Sequence, residues 1–314
     1  MPSTSYPRYS TYESAGRTPS LLSQELPRPR VDTGDIYYPP NTLLEPHFSS
    51  IDESRRFGAA CFCGFLEDTV EVEHCLVIPA IASVRRLPYD IPERAEQDLY
   101  RLATDEGFHA EQSQRFLTDL RSQFGLGRPP DRTGPLFLRR LASQRSQEPD
   151  ASQREIVTVL NGVVTETRIS IELGKFAGDS RLAESVRTIC RTHADDESIH
   201  ASQFKALGRW LWEEFDEGAR AAAAKAFTAS AIARNLPDVE RLSRYFAQAT
   251  GRTPAESESL VHSLYTEDVQ IEELQVSARP TWSFLSDLGV DQYVSFAAAL
   301  TAERARLHEE MAAR

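Results

Sequence analysis

The stretch Thr192-His193-Ala194-Asp195-Asp196-Glu197-Ser198-Ile199-His200 decides how this chain is read. His193, Glu197 and His200 stand four and three residues apart, intervals that return to one face of an α-helix. Two imidazoles and a carboxylate aimed at one point are costly to bury unless a metal takes their lone pairs. An earlier stretch, Asp105-Glu106-Gly107-Phe108-His109, repeats the Asp-Glu-x-x-His pattern of Asp196 to His200. Two such motifs in one helical chain are the sequence sign of a two-metal carboxylate bundle. That site takes a Glu from each of two helices and a Glu-x-x-His from each of two others.

The two remaining carboxylates follow from spacing. Glu166 lies on an apolar helical face with Val159, Val163, Ser170 and Leu173, and precedes Glu197 by 31 residues. A first-helix partner at a similar interval before Glu106 is Glu71 or Glu73. Glu73 follows Leu66 by seven and Phe62 by eleven, so the apolar face favours it, and Glu71 stays as the alternative. Four carboxylates balance two ferrous ions, and imidazole is a good iron ligand. Asp105 and Asp196 each precede a motif glutamate, where an aspartate can accept the outer N–H of a ligating histidine. A zinc protease is excluded by the absence of His-Glu-x-x-His. His47, His74, His262 and His308 read as structural or surface residues, and Trp210 and Trp212 as packing.

Composition fits a globular chain of 314 residues, long enough for a large core, with a mean hydropathy of -0.42. No apolar run reaches the roughly 18 to 20 residues of a membrane helix, and Met1 to Ser20 lacks the apolar core of a secretory signal. A cytoplasmic protein is expected. The net charge of -12 argues against nucleic acid as a partner, since phosphate binding wants a basic face. Cys61, Cys63, Cys75 and Cys190 lack zinc-site spacing and read as buried thiols.

An all-α fold is expected. Residues 1–50 form an extended Pro-rich arm, whose first twenty or so residues read as mobile while Ile36 to Phe48 lies along the body. Residues 51–314 form a single helical domain, with the bundle at about 55–215 and accessory helices at 218–314. The bundle helices run from about Ile51 to beyond Pro79, Pro92 to Phe124, Ser152 to Phe176 and Leu182 to Glu214, with a short helix at Pro135 to Ser146. Further helices span Ala221 to Arg234, Val239 to Thr250, Pro254 to Thr266 and Gln292 to Arg314, broken at Pro237, Pro254 and Pro280. Tyr265, Glu267, Glu272 and Glu273 read as a solvated helix. Arg168 is a conceivable anchor for an anionic substrate group, with a surface salt bridge preferred.

These motifs resemble the AurF/CmlI-type di-iron N-oxygenases over roughly residues 55 to 215. The distinguishing feature is His193, four before the motif glutamate, which matches a third histidine that most two-histidine sites lack. The Glu73 to Ala80 segment, with Pro79-Ala80, is also similar to that family's first ligand helix. The resemblance implies a ferritin-like four-helix bundle holding two irons on Glu73, Glu106, His109, Glu166, His193, Glu197 and His200. It implies O₂ activation through a peroxo-diferric species, with electrons from an external donor such as a reductase. The expected reaction takes a small, aromatic amine, free or carrier-bound, to hydroxylamine, nitroso or nitro products in a biosynthetic pathway. A homodimer is also implied. A C–H hydroxylase or desaturase on the same scaffold is the alternative, and an iron-storage ferroxidase a more distant one.

Overall fold

The computed structural model describes residues 6–15, 30–127 and 134–312. Among these residues all regular structure is helical. The first bundle helix, α1 (Ile51–Val72), starts at Ser50, whose side chain accepts from the Glu53 N–H. It passes into one wide π turn, Glu73–Val77, and continues as α2 (Ile78–Val84). Pro79 explains the wide turn. It has no N–H to give the carbonyl of Cys75, and its ring would crowd that carbonyl in regular α geometry. The Ile78 N–H instead bonds back to the Glu73 carbonyl, five residues earlier.

The second bundle helix, α3 (Glu93–Phe124), ends where Gly125 takes φ +57°, a left-handed cap that suits glycine. The short α4 (Leu136–Ser146) leads to α5 (Ala151–Gly178), capped by Asp150, and then to α6 (Glu184–Glu214). α1 pairs with α3 and α5 packs along α6, while α3 and α6 touch each other only sparingly. Gly162 permits the close crossing of α2, α5 and α6. A Cβ there would stand 2.6 Å from the Ala80 side chain and 3.1 Å from Phe204.

Two apolar layers form the core. One gathers Leu102, Val163, Phe204 and Leu207, the other Leu66, Phe116, Ile169 and Cys190. On each of α3, α5 and α6 the chain passes from one layer to the other through a short polar interval. These intervals hold Glu106 and His109, Glu166, and His193 to His200. Each fully buried aliphatic or aromatic side chain contributes about 1.5–3 kcal/mol, which offsets the desolvation of the polar layer between them.

The accessory helices are α7 (Glu217–Asn235), α8 (Val239–Thr250), α9 (Pro254–Leu264), α10 (Glu267–Asp287) and α11 (Phe296–Ala312). α7 packs on α4 and α5, α8 on α1, and α10 on α7 and α11. No helix among the described residues is long and apolar enough to cross a membrane.

Several sequence expectations are corrected. Pro280 does not break the chain; α10 runs through it, with Ala278 and Thr281 buried on either side. Tyr265 is buried, and its hydroxyl accepts from Asn41 Nδ2 at 2.7 Å, so the start of α10 is not wholly solvated. Cys75 is exposed, because the π turn rotates it outward, while Cys61, Cys63 and Cys190 are buried. Ile36 to Phe48 does lie on the body, with Tyr37 and Leu44 fully buried. Residues 6–15, expected to be mobile, are docked along the seam between α3 and α6. Residues 1–5 and 16–20 of that stretch lie outside the described residues.

Candidate metal centre

Seven side chains from the four bundle helices meet in the polar layer. Glu73 comes from the π turn, Glu106 and His109 from α3, Glu166 from α5, and His193, Glu197 and His200 from α6. All seven are buried, none more than 4% exposed. They fall into overlapping groups that could hold a metal ion: Glu73, His109, His193 and Glu197; Glu106, His109, Glu197 and His200; and Glu73, Glu106 and Glu166. Glu71 does not join them. It is exposed and lines a groove on the outer side of the π turn.

The polar atoms of this layer fit a metal better than one another. Both oxygens of Glu73 and of Glu166, one oxygen each of Glu106 and Glu197, and Nδ1 of His200 make no hydrogen bond. His200 Nδ1 lies 2.9 Å from Glu106 Oε1, an ion-pair distance, yet no hydrogen bond of good geometry joins them. A buried carboxylate without donors costs several kcal/mol, and a shared cation is the chemistry that removes that cost. Oxygen and imidazole donors in this mixture suit first-row metals such as iron.

The electrostatics point the same way. Burial pushes Glu73 and Glu166 well up, and the neighbouring carboxylates of Glu106 and Glu197 reinforce this. Burial would also raise Glu106 and Glu197. The positive charge of His200 and hydrogen bonds with His109 reverse the effect, holding Glu106 down and Glu197 well below the usual range. Burial opposes the charged forms of His109 and His200, but their carboxylate partners raise both well above the ordinary value. His193 is held down by burial and by its neighbour His109, whose ring centroid is 3.8 Å away. The raised groups, Glu73, Glu166, His109 and His200, all favour their protonated forms in the metal-free layer, which offsets the charge of its clustered carboxylates.

The two aspartates act across the helix pair. His109 Nε2 lies 3.2 Å from Asp196 Oδ2, and His200 Nε2 lies 3.5 Å from Asp105 Oδ2. Each aspartate therefore serves the histidine of the other motif. Asp105 and Asp196 precede their glutamates by one residue, about 100° round the helix, so each turns toward the neighbouring helix. His109 Nδ1 faces Glu106 Oε2 at 3.2 Å and Glu197 Oε1 at 3.3 Å. For both histidines Nδ1 is the inward atom and Nε2 the outward donor. His193 differs, presenting Nε2 inward at 2.9 Å from Glu197 Oε1 and 4.0 Å from Glu73 Oε1.

Sequence reasoning missed Tyr12. Its hydroxyl donates to Asp105 Oδ2 at 2.5 Å and lies 3.1 Å from His200 Nε2, with the residue only 4% exposed. Burial pushes this hydroxyl well up, so it stays protonated. Nothing in the spacing of a Pro-rich arm indicates a docking point; the cluster of tyrosines at 6, 9 and 12 was the only signal. Thr165 and Gln203 were also missed, beside Glu166 and one turn beyond His200, both buried with unpaired side-chain polar atoms.

Arg168 points away from the centre, to Glu172 at 3.6 Å and the Arg234 carbonyl at 2.9 Å. The expected salt bridge exists, but it is largely buried and not on the surface. A groove of about 710 Å³ contains none of the seven residues in its lining. It lies outside the π turn, walled by Glu71, Cys75, Leu76 and Pro79, with Leu117 of α3 and Asn161 of α5 at its sides. No known family's model matches this chain, and no curated protein matches it.

Proposed function

We propose that this chain is a non-haem di-iron oxygenase that N-oxygenates a small, aromatic amine, using O₂ and electrons from an external reductase. The observation that carries this reading is the seven-residue layer with unpaired donor atoms converging, and above all the third histidine, His193, within it. Two ferrous ions held by these residues would supply the electrons and Lewis acidity that activate O₂. Each first oxidation would balance as amine plus O₂, two electrons and two protons giving hydroxylamine and water. Repetition leads to the nitroso and nitro levels.

The chain's own residues have separable tasks in this reading. Asp196 and Asp105 hold the outward N–H of His109 and His200, so that each imidazole presents Nδ1 inward. His193, kept neutral, adds an uncharged donor. The apolar layers above and below exclude bulk water. The outer groove at the π turn is the proposed substrate approach, since its volume suits a small molecule and three ligand-bearing helices form its walls. A homodimeric, cytoplasmic enzyme acting in a biosynthetic pathway, on a free or carrier-bound substrate, completes the proposal.

The test is anaerobic loading with Fe(II), followed by O₂, a reductant and a panel of arylamines, with products read by mass and fragmentation. About two irons per chain and oxygen on nitrogen are expected. Oxygen on carbon, or loss of two hydrogens, would favour the hydroxylase or desaturase reading. Iron uptake far beyond two per chain would favour storage.

A further inference from the structure

We propose that Tyr12 is a positioning residue of the metal centre, delivered to His200 by a detachable N-terminal strap formed by residues 6–15. The proposal rests on the metal reading above and extends it to a segment outside the bundle.

The two outward imidazole nitrogens are not equally served. His109 Nε2 has Asp196 at 3.2 Å, whereas His200 Nε2 has Asp105 at a long 3.5 Å, with the Tyr12 oxygen nearer at 3.1 Å. On the metal reading His200 Nδ1 gives its lone pair to the metal beside Glu106 and Glu197, which leaves the proton on Nε2. A phenol oxygen can accept that proton's hydrogen bond while its own O–H is given to Asp105. Tyr12 thus takes up, on this side, the outward nitrogen that Asp105 reaches only at 3.5 Å.

The attachments of the strap show how Tyr12 is held there. The Tyr9 hydroxyl donates to Asp98 Oδ2 at 2.8 Å, and Asp98 lies two helical turns before Asp105 on α3. The Ser10 N–H donates to Ser202 Oγ on α6 at 2.8 Å. The Tyr6 ring packs on Trp210 of α6, centroids 5.7 Å apart, and Glu13 pairs with Arg94 at 3.5 Å. The strap therefore fills the seam in which α3 and α6 make few contacts of their own. It has no helix or strand to stiffen it, and single bonds and ring contacts hold it. A segment attached in this way can lift without unfolding the bundle beneath.

The experiment uses the full chain loaded with Co(II), whose ligand-field spectrum reports histidine orientation, and follows metal release to a chelator. Tyr12→Phe keeps the ring and removes the hydroxyl. It is expected to alter the cobalt spectrum and to speed release of one of the two metals about tenfold or more. Tyr9→Phe acts on the strap alone, and is expected to keep the wild-type spectrum while speeding release to a smaller extent. Tyr293→Phe, which removes a surface bond to Glu217, is the control expected to change nothing. A Tyr12→Phe protein with wild-type spectrum and release overturns the positioning role. An unchanged release rate in Tyr9→Phe overturns the strap, and decides the question alone if Tyr12→Phe does not fold. A wild-type chain that takes up no cobalt overturns the metal reading and this proposal together, which separates the two failures.

Discussion

The His109 side and the His200 side of the centre begin from the same five-residue motif and are finished differently. On the first, Asp196 holds the outward imidazole nitrogen directly, and the His193 ring lies tilted against His109 with its own nitrogen turned inward. On the second no extra histidine appears, Asp105 stands off at 3.5 Å, and Tyr12 from the arm enters between them. A local repeat thus gives two similar sets of candidate ligands, and the neighbours brought in by the fold make them unequal. One side is completed within α6. The other depends on a segment almost two hundred residues away in sequence.

The largest expected effect comes from the residue both sides share. Glu197 lies within 3.3 Å of His109, His193 and His200, so Glu197→Ala should take iron stoichiometry from about two per chain toward zero, read by metal analysis after loading. Equal retention of both irons would show that the halves do not meet at this carboxylate.

Acidity comes next. Glu73, Glu166, His109 and His200 are raised, so metal entry should displace protons from the layer. Calorimetry in buffers of different ionisation enthalpy counts them, and affinity should climb steeply with pH. The metal-free protein should behave oppositely. The contribution of the raised His109 and His200 is complete below the ordinary histidine value and is lost as pH rises through their folded values. Raised Glu73 and Glu166 penalise the fold as pH rises above the ordinary carboxylate range. The lowered Glu106 and Glu197 add stability above that range and lose it as pH falls. Metal-free melting temperature should therefore drop from mildly acidic to alkaline pH, while the loaded protein resists the drop.

The aspartates test the inequality itself. Asp196→Asn should weaken metal binding by about 10- to 100-fold in chelator competition, because Asp196 takes the outward nitrogen of His109 at 3.2 Å. Asp105→Asn should cost less, since Tyr12 still faces His200. An equal loss from both would erase the distinction between the sides. The smallest change is expected from His193→Ala, which removes one neutral donor: both metals stay, held less tightly, with an altered ligand-field spectrum.

Much of this centre is legible from one helix repeat. Intervals of three and four place His193, Glu197 and His200 on one face in any α-helix, and the seven- and eleven-residue steps from Leu66 and Phe62 separate Glu73 from Glu71. Helix existence and most boundaries follow from the same periodicity, with Gly125 marking an end. Pro280 misleads because packing of α10 against α7 and α11 outweighs the single backbone bond a proline removes. Cys75 misleads because the π turn adds a residue to the helical count, which local periodicity does not register.

Covalent spacing along a helix therefore determined which residues share a face, and with it the four-helix plan and the identity of the clustered acids and histidines. Which aspartate serves which histidine, where Arg168 turns, and that Tyr12 closes one side all arose from contacts between helices or with the arm. Such contacts join residues far apart in the chain, and their geometry is set by how the apolar layers pack, a quantity no local interval contains.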